Sequence, residues 1–187
     1  MHPVVERAGR AAELPAWARC DEPRREHARR VGDLLLEWAA KLGLPEAEQV
    51  RWRATGVLHD ALKDAPESEL RALAGDGWPA PVLHAPACSA RLAEDGVDDE
   101  GMLQAIRYHP VGHPDLGDLG EYLILADYLE PGRSGDDDSR ERLRRNLPGG
   151  RRAALRSVLR DRLERLLVRD RPLMPCSVEM WNRVVAP

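Results

Sequence analysis

Val57-Leu58-His59-Asp60-Ala61-Leu62-Lys63-Asp64 is the stretch from which the rest of the chain can be read. An apolar run delivers a histidine and an aspartate side by side, and a lysine and a second aspartate follow one helical turn later. Upstream, Val50 and Ala54 continue the apolar side back to Pro45 at helical spacing, so the stretch closes an amphipathic helix. Imidazole nitrogen and carboxylate oxygen together suit a borderline-hard divalent metal. Adjacent helical residues differ by about 100° in direction, so His59 and Asp60 reach one metal only near a helix end or in a shared site. Taken alone, such a pair also fits an exposed helix end.

Working outward, every segment predicts helix. Asp21, Glu22 and Pro23 open one whose apolar face is Val31, Leu34, Leu35, Trp38 and Leu42, ending at Gly43. His27 lies four residues before Val31 on that face, where a core histidine bonded to a carbonyl is the simpler reading. Pro66 opens a short helix ended by Gly75 and Gly77. His84 falls in a proline-rich loop, 78–86, ahead of a helix expected from Pro86 to about Asp95. Asp98 or Asp99 caps the next helix, which runs to Arg107-Tyr108-His109; Pro110 then places His109 at a helix exit. Asp118 is expected to cap the helix carrying Leu123-Ile124-Leu125-Ala126-Asp127-Tyr128-Leu129. A carboxylate inside that run is costly to bury without a cation or hydrogen bonds, which makes Asp127 informative.

Residues 134–139 predict a polar loop, with Asp136-Asp137-Asp138 as a solvated turn, and Arg140 to Arg145 a basic helix. A long helix follows, apolar at Leu155, Val158, Leu159, Leu163, Leu166 and Leu167. Its arginines read as a solvated outer face with pairs such as Asp161–Arg165. Val178 to Val185 closes the chain. No strand alternation, internal repeat or second domain is visible. The expected fold is all-α, with residues 1–20 as an N-terminal lead-in and 21–187 as one domain.

The 187 residues suffice for one sizeable core. With no Phe, that core must be Leu, Val, Ala and Trp. A net charge of −4 argues against non-specific nucleic-acid binding. Cys20, Cys88 and Cys176 are far apart and odd in number, so neither a disulfide framework nor a zinc ribbon is indicated. The absence of a signal-like start and of a long apolar run leads to the expectation of a cytoplasmic protein with no membrane partner. Only Lys41 and Lys63 are lysines in an Arg-rich chain, which singles out Lys63 beside the His-Asp pair.

His27, His59, Asp60, His84, His109 and Asp127 make six N/O ligands without sulfur. That set suits Fe, Mn, Zn or Mg and is large enough for two ions. Two divalent ions can generate hydroxide near neutral pH, clamp a phosphoryl group and stabilise the leaving oxygen. Lys63, Arg107 and Arg133 are candidate phosphate binders.

The ordered set resembles the HD-domain metal-dependent phosphohydrolases, and within them the YqeK-type symmetrical diadenosine tetraphosphate hydrolases. It is carried by Glu26-His27, Leu58 to Asp64, Leu83-His84-Ala85-Pro86, Ala105 to His109, Leu125 to Arg133, Arg171-Pro172-Leu173 and Trp181-Asn182, over roughly residue 20 to the end. The resemblance implies an all-helical HD bundle with a di-iron centre that cuts the polyphosphate in its middle to give two ADP. It implies the six ligands above. Asp60, Lys63 and Asp64 are the expected catalytic residues, and Lys63, Arg107, His113 and Arg133 the substrate-binding ones. It also implies a nucleotide as the partner and suggests a homodimer. Three departures stand out. Pro110-Val111-Gly112-His113 replaces a Thr-Thr-Gly-Arg-like stretch, Glu121 stands where a Lys is usual, and Arg25 where an aromatic is usual. The competing expectations are an HD hydrolase of a nucleoside monophosphate or guanosine alarmone, and a non-catalytic metal- or nucleotide-binding module.

Overall fold

The structure is a computed structural model that describes residues 1–132 and 137–186. Among the described residues there are ten α-helices, one short 3-10 turn and no strand. The helices are α1 (Pro3–Ala11), α2 (Glu22–Lys41), α3 (Glu46–Leu58), α4 (Glu67–Ala74), α5 (His84–Glu94), α6 (Glu100–Tyr108), α7 (Asp118–Leu129), α8 (Asp137–Arg145), α9 (Arg151–Leu167) and α10 (Pro175–Val185). No described helix is long and apolar enough to cross a membrane.

The core is built around α7. Ten of its twelve residues are buried, so it is wrapped on all sides, as an apolar run without a polar stripe requires. It packs on α2, α3, α6 and α9. Helices α2 and α3 cross at two glycines. A Cβ on Gly56 would lie 2.6 Å from Gly32 Cα, so nothing larger than hydrogen fits there. The close crossing brings the first turns of α2 against the end of α3, and therefore His27 against His59.

Helix boundaries follow local chemistry. Asp21 caps α2 by accepting from Arg24 N at 3.0 Å, and Asp99 caps α6 by accepting from Met102 N at 3.0 Å. Several expectations are corrected. The lead-in contains α1, capped by His2 and packed on α3; a Cβ on Gly9 would run into Val50. Its signal was present in Pro3 at the first turn and in Val5 and Ala8 on one face. Helix α5 starts at His84 rather than Pro86, since a proline in the first turn loses no helical hydrogen bond. Asp118 is the first residue of α7 and makes no cap bond; Gly117 is the cap. Helix α8 begins at Asp137, inside the expected loop, and Arg133 and Asp136 lie outside the described residues. Leu42 and Leu167 are exposed because each sits at the end of its helix, beyond the packed face.

The segment after α1 clamps the decisive turn. Arg19 N donates to Ala61 O at 2.7 Å and Asp64 N donates to Arg19 O at 2.9 Å. The backbone after His59-Asp60 is thereby pinned outside any helix. That releases Asp60 from the 100° rule and lets it face the same space as His59.

Candidate metal centre

Four histidine rings run in a chain through the bundle: His27–His59 at 5.4 Å, His59–His109 at 4.9 Å and His109–His84 at 5.4 Å between centroids. The four come from four helices or helix ends, and Asp60 and Asp127 complete the group. Two sets of ligand atoms lie close enough to hold an ion: His27, His59 and Asp60, and Asp60, His84 and His109. Asp60 belongs to both. Asp127 Oδ1 lies 3.2 Å from His27 Nε2 and 4.0 Å from His59 Nε2, which adds it to the first set.

The protonation pattern suits a cation. His59 Nδ1 donates to Gly56 O at 2.6 Å and His109 Nδ1 donates to Ile106 O at 2.8 Å. A carbonyl only accepts, so each ring carries its proton on Nδ1 and turns a lone pair on Nε2 inward. His59 Nε2 then faces Asp60 Oδ2 at 3.7 Å, and His109 Nε2 faces Asp60 Oδ1 at 3.5 Å. His59 Nε2 is buried with no hydrogen-bond partner, and the buried Asp60 Oδ1 lies 3.1 Å from His84 Nε2 and 3.5 Å from His109 Nε2. Acceptors gathered around one another out of water are unfavourable without a positive charge between them. A divalent cation meets that need, and the N/O donor set fits one.

Electrostatics agree. Burial pushes His59 down to about 4 and lowers His84 as well, so both stay neutral. Burial would raise Asp60, but the surrounding imidazoles of His59, His109 and His84, together with the Lys63 ammonium, outweigh it and hold the carboxyl well below its usual range. Burial also opposes charge on His27. Its contacts with Asp127 and Glu130 overcome that and raise it to about 9.

The other expected residues divide. Lys63 stands at the cluster, its Nζ 2.9 Å from His84 Nε2 and 3.8 Å from Asp60 Oδ1. Both Asp64 oxygens are engaged: Oδ1 accepts from Arg24 Nε at 2.8 Å and Oδ2 from Asp21 N at 3.0 Å. Arg107 and His113 are not among the residues lining the cluster's cavity. The Arg107 guanidinium lies 5.5 Å from the Trp78 ring, and His113 stacks on Tyr108 at 4.4 Å. Glu121 points the other way, bonding Arg183 at 2.6 Å and Arg151 at 3.2 Å, which ties α7 to α9 and α10. The replacement of a usual Lys by Glu121 therefore removes no cation from the cluster.

Three residues were not anticipated. Arg162, expected on a solvated face, donates to Asp127 Oδ2 at 3.0 Å and to His109 O at 2.7 Å. Glu130, 2% exposed, bonds His27 Nδ1 at 3.2 Å. Arg24 lines the mouth of the cavity. Helical periodicity places an arginine on a face without saying which neighbouring element covers it. For Glu130, the only signal was a carboxylate directly after an apolar helix. A cavity of about 330 Å³ opens over the cluster, lined by Arg24, His27, Asp60, Lys63, His109, Pro110 and Asp127.

With this geometry in view, comparison with known proteins is specific. The HD domain family matches residues 24–132, the span from Arg24 past Asp127. The chain belongs to the HD domain family. Among relatives of this HD protein, a symmetrical bis(5'-nucleosyl)-tetraphosphatase of Halalkalibacterium halodurans is 29% identical over 175 residues, covering 88% of this chain and 90% of the relative. One of Bacillus subtilis is 29% identical over 176 residues, covering 88% and 91%. A crystal structure from Clostridium acetobutylicum, described as an HD superfamily hydrolase, superposes with a TM-score of 0.76 at 24% identity over 88% of this chain and 89% of that one. That likeness bears out the all-helical HD fold.

Proposed function

We propose that this HD protein is a metal-dependent phosphohydrolase that cleaves dinucleoside tetraphosphates symmetrically, releasing two ADP from diadenosine tetraphosphate. The observation that carries the reading is the carboxylate of Asp60 shared by two histidine sets, directly beneath Lys63 and Arg24 in one cavity. The names of the relatives support the substrate class.

His27, His59, Asp60 and Asp127 would hold one ion and Asp60, His84 and His109 a second. The resemblance favours Fe, and the N/O donor set equally suits Mn, Zn or Mg. A divalent cation bound there would lower the pKa of the attacking water and offset phosphoryl charge. Hydrolysis adds one water across the central P–O–P bridge, and each product leaves as a diphosphate. Lys63 and Arg24 present positive charge to the bridging phosphates from the cavity mouth, and Asp64 holds Arg24 there. A cavity of about 330 Å³ takes a phosphate chain rather than two whole nucleosides. We assign the nucleosides to its flanks, where Trp78, Tyr108 and His113 offer ring faces and Arg107 a cation; Arg133 is assigned to the phosphates on the resemblance alone. A cytoplasmic location accords with such a substrate.

The test is chromatographic. With Fe or Mn supplied, diadenosine tetraphosphate should yield ADP as the only nucleotide product. Formation of ATP and AMP would overturn the symmetrical cut. No product from this substrate, with turnover of a monophosphate or guanosine alarmone in the same panel, would move the activity elsewhere in the family. Tight binding without turnover in any metal would mark a non-catalytic module.

A further inference from the structure

The two ligand sets share Asp60 and differ in what stands behind them. On one side are two carboxylates, Asp60 and Asp127, with Arg162 bound to the far oxygen of Asp127, Oδ2, at 3.0 Å and Oδ1 left facing the histidines. On the other there is Asp60 alone, with the Lys63 ammonium 2.9 Å from His84 Nε2. Ligand charge and rigidity set the affinity of a site for a divalent ion, and a neighbouring ammonium opposes it.

Rigidity differs as well. His59 and His109 are each oriented by a carbonyl three residues earlier in their own chain segment. His27 is oriented instead across the fold, by Glu130 at the end of α7, 103 residues away. Glu130 is itself held. Its Oε2 accepts from Arg30 Nε at 2.5 Å and from Gly132 N at 2.7 Å. A Cβ on Gly132 would run into the Arg30 guanidinium, so the turn after α7 is shaped to receive that side chain. An Arg30–Glu130 pair alone would merely staple α2 to α7. The remaining oxygen, Oε1, makes the difference, because it bonds the imidazole and leaves Nε2 facing the cluster. A carboxylate behind a histidine fixes its ring and strengthens it as a donor.

We propose that Glu130 is a positioning residue that acts through His27 and makes the His27–His59–Asp60–Asp127 subsite the tighter of two cation subsites. This rests on reading the cluster as a cation site, and not on which nucleotide is hydrolysed. The Asp60–His84–His109 subsite, crowded by Lys63, is the weaker and more exchangeable one.

The experiment is calorimetric titration of the chelator-stripped full chain with Mn²⁺, with thermal melts of every variant. Wild type should show one tight and one weaker event. Glu130→Gln should weaken the tight event by about 10–100-fold and leave the weaker one in place, with Glu130→Asp intermediate. His84→Ala should abolish the weaker event and spare the tight one. A tight event unmoved in Glu130→Gln overturns the inference. So do two equal events in wild type, or equal weakening of both in Glu130→Gln, the signature of a purely structural staple. A single wild-type event supports it only if Glu130→Gln weakens that event and His84→Ala spares it; any other pattern overturns it. No Mn²⁺ binding in wild type would overturn the cation site itself and the proposed function with it.

Discussion

Asp60 is the residue on which both ligand sets converge. Asp60→Ala should therefore release metal from the whole cluster and reduce activity to background, read by elemental analysis and ADP release on the same sample. Lys63 touches His84 and Asp60 but lies at the cavity mouth. Lys63→Ala should retain metal while kcat/KM falls by roughly 10–100-fold, about 1.4–2.8 kcal/mol of transition-state stabilisation; loss of metal would contradict the assignment. The histidines also predict a pH profile for metal-free protein. His27 sits at about 9 against an ordinary 6.5, so its contribution to stability is complete below 6.5 and is lost as pH rises through 9. His59 sits at about 4, so the unfolded chain takes up its proton first; its contribution is complete above 6.5 and is lost as pH falls toward 4. Thermal midpoints should fall on both sides of about 6.5, and His27→Gln should flatten the alkaline limb alone.

At the scale of elements, the site depends on how closely helices approach. Gly56 on α3 meets the Gly32 backbone of α2, and this contact sets His27 beside His59. Gly56→Ala should cost about 1–3 kcal/mol from overpacking, read as a lowered urea midpoint, and should weaken metal binding. Gly149→Ala, where a Cβ would meet only Asn146 O at an ordinary 3.8 Å, is the control and should change neither. The helical periods of α2, α3 and α6 were legible because apolar residues recur at 3.6 spacing whatever they pack against, and α7 was legible as a continuous apolar run. Helix α1 was missed because nine residues make too short a periodic window to stand out. Arg162 was read as solvent-facing for a related reason: a helical face has no label for its neighbour, and α7 covers that part of α9.

Across the whole molecule, the cluster places buried lone pairs and carboxylates at the centre of the fold, so cation binding and folding are linked. At 100 Kd of metal, a single site adds about 2.7 kcal/mol. For a chain of this size that should raise the melting midpoint by on the order of 5–10 °C, reversed by chelator and absent in Asp60→Ala. Much of the protein's character was already determined by sequence: an all-helical class, the four cluster histidines, and the two aspartates that join them. These follow from local rules, since helix periodicity, proline and glycine stops, and the cost of a charge inside an apolar run are properties of short segments. What only tertiary structure decided is the arrangement: Asp60 shared between two sets, Asp64 turned to Arg24, Glu121 turned to Arg151 and Arg183, and Glu130 and Arg162 brought behind His27 and Asp127. Those pairings join residues 35 to 103 positions apart for Arg162–Asp127 and His27–Glu130. Their partners are chosen by which helices pack together, and no local period encodes that choice.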